Sequence, residues 1–209
     1  MRAFLSFLSI LGALALPIFD EACIMGFMAR ILLGVSAGIA IYKSADLASR
    51  LTQNGHEVRV ILTPHALKFM TPLAFRAVTR QPVYTDIFED DPAYRPEHIS
   101  LPEWADILVI APATADVIGR IASGLGDSLL VLTVLACVKP VILAPAMNDR
   151  MWANSIVQGN IERLKAVGYQ FLDPGSGYLA CGSVGPGRMK EVSEIQSALE
   201  AELARSQKK

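Results

Sequence analysis

The stretch ILLGVSAGIAIYKSADLASRLTQNGHEVRVIL, residues 31–62, sets the fold. It opens and closes on short β-rich apolar runs, ILLGV (31–35) and EVRVIL (57–62). Runs so short and so little interrupted suit strands buried on both faces of a parallel sheet. Between them Ile39, Leu47 and Leu51 stand near helical spacing, and Asn54-Gly55 supplies a helix stop. Strand, helix and strand in this order make a right-handed crossover unit.

The same rhythm continues downstream. DILVIA (106–111), PVILA (140–144) and, more weakly, YQFL (169–172) read as further strands, and IVQGNIERLKAVG (156–168) reads as a helix that also ends on glycine. The expectation is a single doubly wound α/β domain, Rossmann-like (flavodoxin-like), with a parallel sheet. Ligands in such sheets bind beyond the C-terminal strand ends. The loops after Val35, Leu62, Ala111 and Ala144 are therefore the ones to read for chemistry.

Composition narrows the function. A chain of 209 residues suits one domain with a sizeable core, and a net charge of -1 provides no basic footprint for nucleic acid. Three cysteines (Cys23, Cys137, Cys181) and three scattered histidines (His56, His65, His98) give neither a disulfide framework nor a metal site. Sparse cysteine fits a reducing compartment, so a cytoplasmic location is expected. The first stretch, MRAFLSFLSILGALALPIF (1–19), has the look of a secretory signal, but Pro17 and Asp20 end it too soon for a membrane span. The preferred reading is an N-terminal extension over 1–28, with Met28 as the real start and residues 29–209 as the domain.

The loops exclude some ligands. GVSAGIAIYK (34–43) spaces its glycines G-x-x-x-G, which is neither the dinucleotide fingerprint nor a Walker loop. The second strand runs into Thr63-Pro64-His65 rather than the acid that holds a dinucleotide ribose. A mononucleotide phosphate at the helix N-terminus, with Ser36 adding a hydroxyl donor, and an ordinary βα turn both remain open. In APATADVIG (111–119), Thr114 and Asp116 can bind a ligand or cap the next helix. Asn148 in APAMNDRMW (144–152) can cap a helix or hold a carboxylate or amide. A lone histidine such as His98 serves more often on a surface or at a cap than in catalysis. In GYLACGSVGPGRM (177–189) four glycines and a proline surround Cys181, which leaves the thiol as a nucleophile or an acid on a pliable segment.

Taken in order, GVSAGIAIYK, TPLAFRAVTRQPV, HISLPEWADILVIAPATAD, LAPAMNDRMW and LACGSVGPGRM resemble the motifs of the homo-oligomeric flavin-containing cysteine decarboxylases, the family of the phosphopantothenoylcysteine decarboxylases. The resemblance covers about residues 30 to 190. Where many relatives have P-A-S-A-N-T, this chain has Pro112-Ala113-Thr114-Ala115-Asp116-Val117, which is similar to the bacterial bifunctional enzymes that continue into a synthetase domain.

The resemblance implies FMN-dependent decarboxylation of 4'-phosphopantothenoylcysteine to 4'-phosphopantetheine in coenzyme A biosynthesis. It implies a homotrimer or a homododecamer (a tetramer of trimers) with FMN at subunit contacts, and a separately encoded synthetase as a partner. The alternatives are a peptidyl-cysteine decarboxylase and a non-catalytic regulatory binding protein on the same scaffold. By motif position, His98, Asn148 and Cys181 are catalytic. FMN lies near Ser36, Ala37, Gly38, Ile39, Thr63, Pro64, His65, Thr114, Ala115, Asp116, Val117 and Ala146. Asn148, Met151, Ala180, Cys181 and Gly182 meet the substrate. In that scheme His98 assists deprotonation of the substrate thiol and Asn148 holds its carboxylate and amide. Cys181, with an ordinary thiol pKa near ~8.5, protonates the enethiolate on a flap that closes over the site.

Overall fold

A computed structural model describes residues 28–88 and 96–206, so the extension expected over residues 1–28 lies outside the described residues except for Met28. Six parallel strands form the main sheet: β1 (Arg30–Val35), β2 (Glu57–Leu62), β3 (Val83–Tyr84), β4 (Ile107–Ala113), β5 (Val141–Pro145) and β6 (Gln170–Phe171). Their order is β3-β2-β1-β4-β5-β6. This is a doubly wound Rossmann-like arrangement whose winding reverses between β1 and β4.

Each long strand sends alternate side chains to two cores. Ile31, Leu33, Val35, Val58, Val60, Val109 and Ala111 pack under α1 (Ile41–Gln53), α2 (Pro72–Thr79) and the C-terminal helix Val192–Ser206. Leu32, Ile61, Leu108, Ile110 and Leu143 face the opposite way, toward α3 (Glu97–Trp104), α4 (Ala115–Ser123), α5 (Leu129–Ala136) and the helix Ser155–Ala166. Two buried faces are why these strands read as unbroken apolar runs rather than alternating ones. Full burial of one such side chain is worth roughly 1.5–3 kcal/mol.

Two local features hold the layers in register. α1 stops at Asn54, and Gly55 turns the chain back with a φ of 87°. Gly34 lets α5 press onto β1, because a Cβ there would stand 2.4 Å from Leu130 Cδ1.

The five expected strands are all present, and the expected helices span Ile41–Gln53 and Ser155–Ala166. The glycine-rich segment expected to be a pliable flap is a β-hairpin. Gly175–Tyr178 and Val184–Arg188 pair antiparallel as β7 and β8, with Cys181 in their connection. Between β5 and this hairpin lie the short helix α6 (Asp149–Trp152) and α7 (Ser155–Ala166); α8 is Val192–Ser206. Among the described residues no helix is long and apolar enough to cross a membrane, and no three His, Cys, Asp or Glu side chains converge on a metal position.

Candidate active site

The tips of β1, β2, β4 and β5 share one edge of the sheet, and the β7–β8 hairpin folds over it. Together they enclose a cavity of about 950 Å³, large enough for a cofactor and part of a substrate. Ser36, Ala37, Gly38 and Ile39 line it from the first loop, and Thr63, Pro64 and His65 from the second. Thr114, Ala115, Asp116 and Val117 come from the start of α4, and Ala146, Asn148 and Met151 from the segment after β5. Ala180 and Cys181 close it from the hairpin. Of the residues singled out in the sequence, Gly182 and His98 do not line this cavity. Gly182 turns the hairpin just beyond Cys181, and His98 sits half-buried in the first turn of α3.

The floor is fixed by crossed hydrogen bonds. Ser36 is 1% exposed; its hydroxyl donates to the Pro112 carbonyl at 2.7 Å and accepts the Thr114 N–H at 3.1 Å. The donor expected of Ser36 is therefore engaged within the chain, and the residue ties the β1 and β4 loops together. Thr63 Oγ1 accepts the Ala66 N–H at 3.3 Å, and Thr114 caps α4 by accepting the Val117 N–H. Asp116 is held by Arg120 at 2.9 Å, and Arg120 also pairs with Asp127.

The start of α1 is different. It carries no side-chain cap, and among the described residues the N–H groups of Ala37, Gly38 and Ile39 find no acceptor in the chain. Unpaired amides at a helix N-terminus favour an anion such as a phosphate. Beside them Ile39 is 65% exposed into the cavity, and Val117, Met147, Met151 and Tyr178 add further apolar surface. A phosphate-binding end next to an apolar wall fits a flavin mononucleotide, and a structure with neither would not.

Asn148 and Cys181 line the same cavity. Asn148 caps α6 through Oδ1, which accepts the Arg150 N–H at 2.8 Å. This leaves its amide nitrogen free to donate to Cys181 Sγ at 2.9 Å. Both roles foreseen for Asn148, helix cap and polar group facing the site, thus coexist. The β8 strand is held to this loop by the Met147 N–H, which donates to the Gly187 carbonyl at 3.0 Å. Cys181 lies 3.2 Å from Ser183 Oγ. The Ser183 hydroxyl, its backbone N–H and the Asn148 amide can each donate to a thiolate, and they hold the Cys181 thiol below its usual range. The thiol is thus a stronger acid than the ordinary one expected from sequence.

Several lining residues were not anticipated. Lys43 is 8% exposed on α1, and its ammonium donates to Glu191 Oε1 at 2.7 Å and to the Met189 carbonyl at 3.4 Å, pinning the root of the hairpin. Its spacing of four from Ile39 and Leu47 placed it on the inward face and was the available signal. Tyr42, Asp127, Tyr178 and Arg188 complete the wall.

A doubly wound sheet whose strand tips build a mononucleotide-sized cavity defines a cofactor-binding α/β protein, and this chain belongs to the flavoprotein family, whose model matches residues 27–204. It is 39% identical to the probable phosphopantothenoylcysteine decarboxylase of Streptococcus mutans, covering 83% of this chain and 98% of that one. It is 46% identical over 175 residues to the coenzyme A biosynthesis bifunctional protein CoaBC of Bacillus subtilis, of which it spans 43%. Among solved structures it resembles a phosphopantothenoylcysteine (PPC) decarboxylase mutant complexed with pantothenoylaminoethenethiol, with a TM-score of 0.75 and 34% identity over 83% of this chain and 97% of that one. It also resembles the FMN-dependent cysteine decarboxylase SpaF, with a TM-score of 0.73 and 34% identity over 85% and 96% of the two chains.

Proposed function

We propose that this protein is an FMN-dependent carboxy-lyase that converts 4'-phosphopantothenoylcysteine to 4'-phosphopantetheine in coenzyme A biosynthesis. The observation that carries the reading is the 2.9 Å contact of Asn148 with Cys181 in the wall of the same cavity that the unpaired amides of Ala37, Gly38 and Ile39 line. The likeness to the S. mutans and SpaF proteins supports the substrate and the cofactor respectively.

FMN would be held by Ser36–Ile39, Thr63–His65, Thr114–Val117 and Ala146, with the unpaired amides of Ala37, Gly38 and Ile39 available to an anionic group. Bound there, a flavin supplies the two-electron acceptor and donor that a cysteine carboxylate needs to lose CO₂, since no protein side chain offers such a sink. The chain's own residues orient and protonate. The Asn148 carboxamide anchors the substrate carboxylate and amide. The hairpin covers the reacting carbon and excludes water. Cys181 delivers a proton to the carbon of the enethiolate left after decarboxylation. His98 lies outside the cavity of a single chain, so its proposed part in deprotonating the substrate thiol requires a second copy to present it. This fits the proposed trimer or dodecamer built from trimers. The proposed setting is the cytoplasm, with a separately encoded synthetase upstream.

Replacing Cys181 tests the chemistry. Cys181→Ser keeps the shape but gives a far weaker acid, so under anaerobic conditions it should accumulate the enethiol and leave the flavin bleached. Normal turnover to phosphopantetheine by this variant would remove the thiol from the mechanism.

A further inference from the structure

Cys181 is one link in a hydrogen-bonded chain that runs from Asp149 through Ser183 and Cys181 to Asn148. Ser183 Oγ donates to Asp149 Oδ1 at 2.9 Å. A serine hydroxyl has one proton and a carboxylate can only accept. While that bond stands, Ser183 meets Cys181, 3.2 Å away, as an acceptor, and the S–H can donate to Ser183 Oγ. The sulfur takes the Asn148 N–H from its other side at 2.9 Å. Consecutive residues at the start of α6 thus grip the hairpin from two directions, Asn148 on the sulfur and Asp149 on the serine. Gly185 allows the approach: a Cβ there would lie 3.0 Å from Asp149 Cβ.

We propose that Asp149 and Ser183 are positioning residues that keep the Cys181 proton on sulfur until the S–H turns to the substrate and the proton is transferred, and that Ser183 then turns its own proton onto the thiolate. The proposal rests on the reading of Cys181 as proton donor. In the transfer the S–H bond breaks, a C–H bond forms on the enethiolate carbon, and sulfur keeps the electron pair. The Ser183 O–H rotates from Asp149 to the thiolate while Asp149 is left to water. A proton from solvent water then restores the thiol, and Ser183 returns to Asp149. No electrons are exchanged with the chain. On the elements packed around the hairpin the ionisable groups are Asp149 and Arg150 of α6, Tyr178 of β7, Arg188 of β8, and Lys43 of α1 with Glu191 at the hairpin's root. Of these, Asp149 is the one joined to Cys181 through hydrogen bonds. Asp149 therefore competes with sulfur for the serine proton, and its removal frees that proton to stabilise the thiolate.

The test is the pH dependence of iodoacetamide alkylation of the flavin-loaded protein, followed by mass spectrometry on the peptide that carries Cys181. Asp149→Ala should lower the midpoint by roughly half to one pH unit, the effect of one added hydrogen bond to a thiolate. Asp149→Asn, which can still accept the serine proton, should stay nearer the parent. In a Ser183→Ala background, Asp149→Ala should move nothing. An unchanged or raised midpoint for Asp149→Ala overturns the proposal. So does an equal fall with and without Ser183, which would make the carboxylate act by charge alone. The titration uses no substrate, so its failure is distinct from failure of the proposed reaction, which normal turnover by Cys181→Ser would reveal.

Discussion

Gly187→Ala should disable the site while leaving the fold standing. A Cβ at residue 187 would stand 2.2 Å from the Met147 carbonyl oxygen and 3.4 Å from the Asn148 carbonyl carbon, both backbone atoms. Ordinary contact begins near 3.4 Å, so β8 and the 146–148 loop must separate by about 1.2 Å. The Met147–Gly187 hydrogen bond of 3.0 Å and the Asn148–Cys181 contact of 2.9 Å both span that seam. A φ of 143° adds roughly 1–3 kcal/mol of backbone strain for any residue with a side chain. A shift of about 1 Å in a positioning group costs on the order of 100-fold in rate. The assay is the decarboxylation rate per bound flavin, alongside thermal denaturation. Gly55→Ala is the control, since its φ of 87° is also strained but nothing lies within 4 Å of the new atom. It should lose stability and keep its rate. A Gly187→Ala rate within about threefold of the parent would refute the claim that this seam sets the site.

Three further outcomes follow from the same geometry. Gly34→Ala drives a methyl to 2.4 Å from Leu130 Cδ1, and overpacking should cost about 1–3 kcal/mol in denaturant unfolding with activity per folded molecule preserved. Arg30 donates to Asp106 at 2.8 Å and holds its carboxyl below the usual range. That stabilisation is present above the unfolded carboxyl pKa and is lost as pH falls through the folded one. Because the pair is partly exposed, Arg30→Met should cost little stability at neutral pH, and unfolding curves should converge with the parent as pH falls below about 4. A difference that grows in acid would assign the effect elsewhere. Finally, a chain beginning at Met28 should fold and react like the full chain, because Met28 is 68% exposed and β1 starts at Arg30; an inactive product of normal solubility would show that residues 1–27 contribute to the enzyme.

Much of the architecture was legible because burial leaves a simple trace. β1, β2, β4 and β5 are covered on both faces, so 31–35, 57–62, 106–111 and 140–144 stood out as unbroken apolar runs. The strand-tip loops followed from topology, and the cavity gathers all twelve residues expected near the cofactor. The β7–β8 hairpin was not legible. GSGY and VGPGR carry four glycines, a proline and only one branched side chain, the exposed Val184, and backbone pairing with each other and with Met147 orders them. β3 is only two residues long and pairs at the sheet edge. The state of a hydroxyl is likewise invisible in a sequence: a ligand contact and an ordinary turn were both open for Ser36, and its hydroxyl donates to the Pro112 carbonyl. The acidity of Cys181 depends on Asn148 and Ser183, and their distances to sulfur appear only once the hairpin is folded over α6.

The most direct measurement is incubation of the purified, flavin-loaded protein with 4'-phosphopantothenoylcysteine under anaerobic conditions, with the products weighed by mass spectrometry. The expected result is loss of CO₂ to give 4'-phosphopantetheine over many turnovers, with no external oxidant or reductant consumed and a parallel incubation with a peptide ending in cysteine left unchanged. An unaltered substrate mass with flavin bound, or decarboxylation of the peptide in its place, would contradict it.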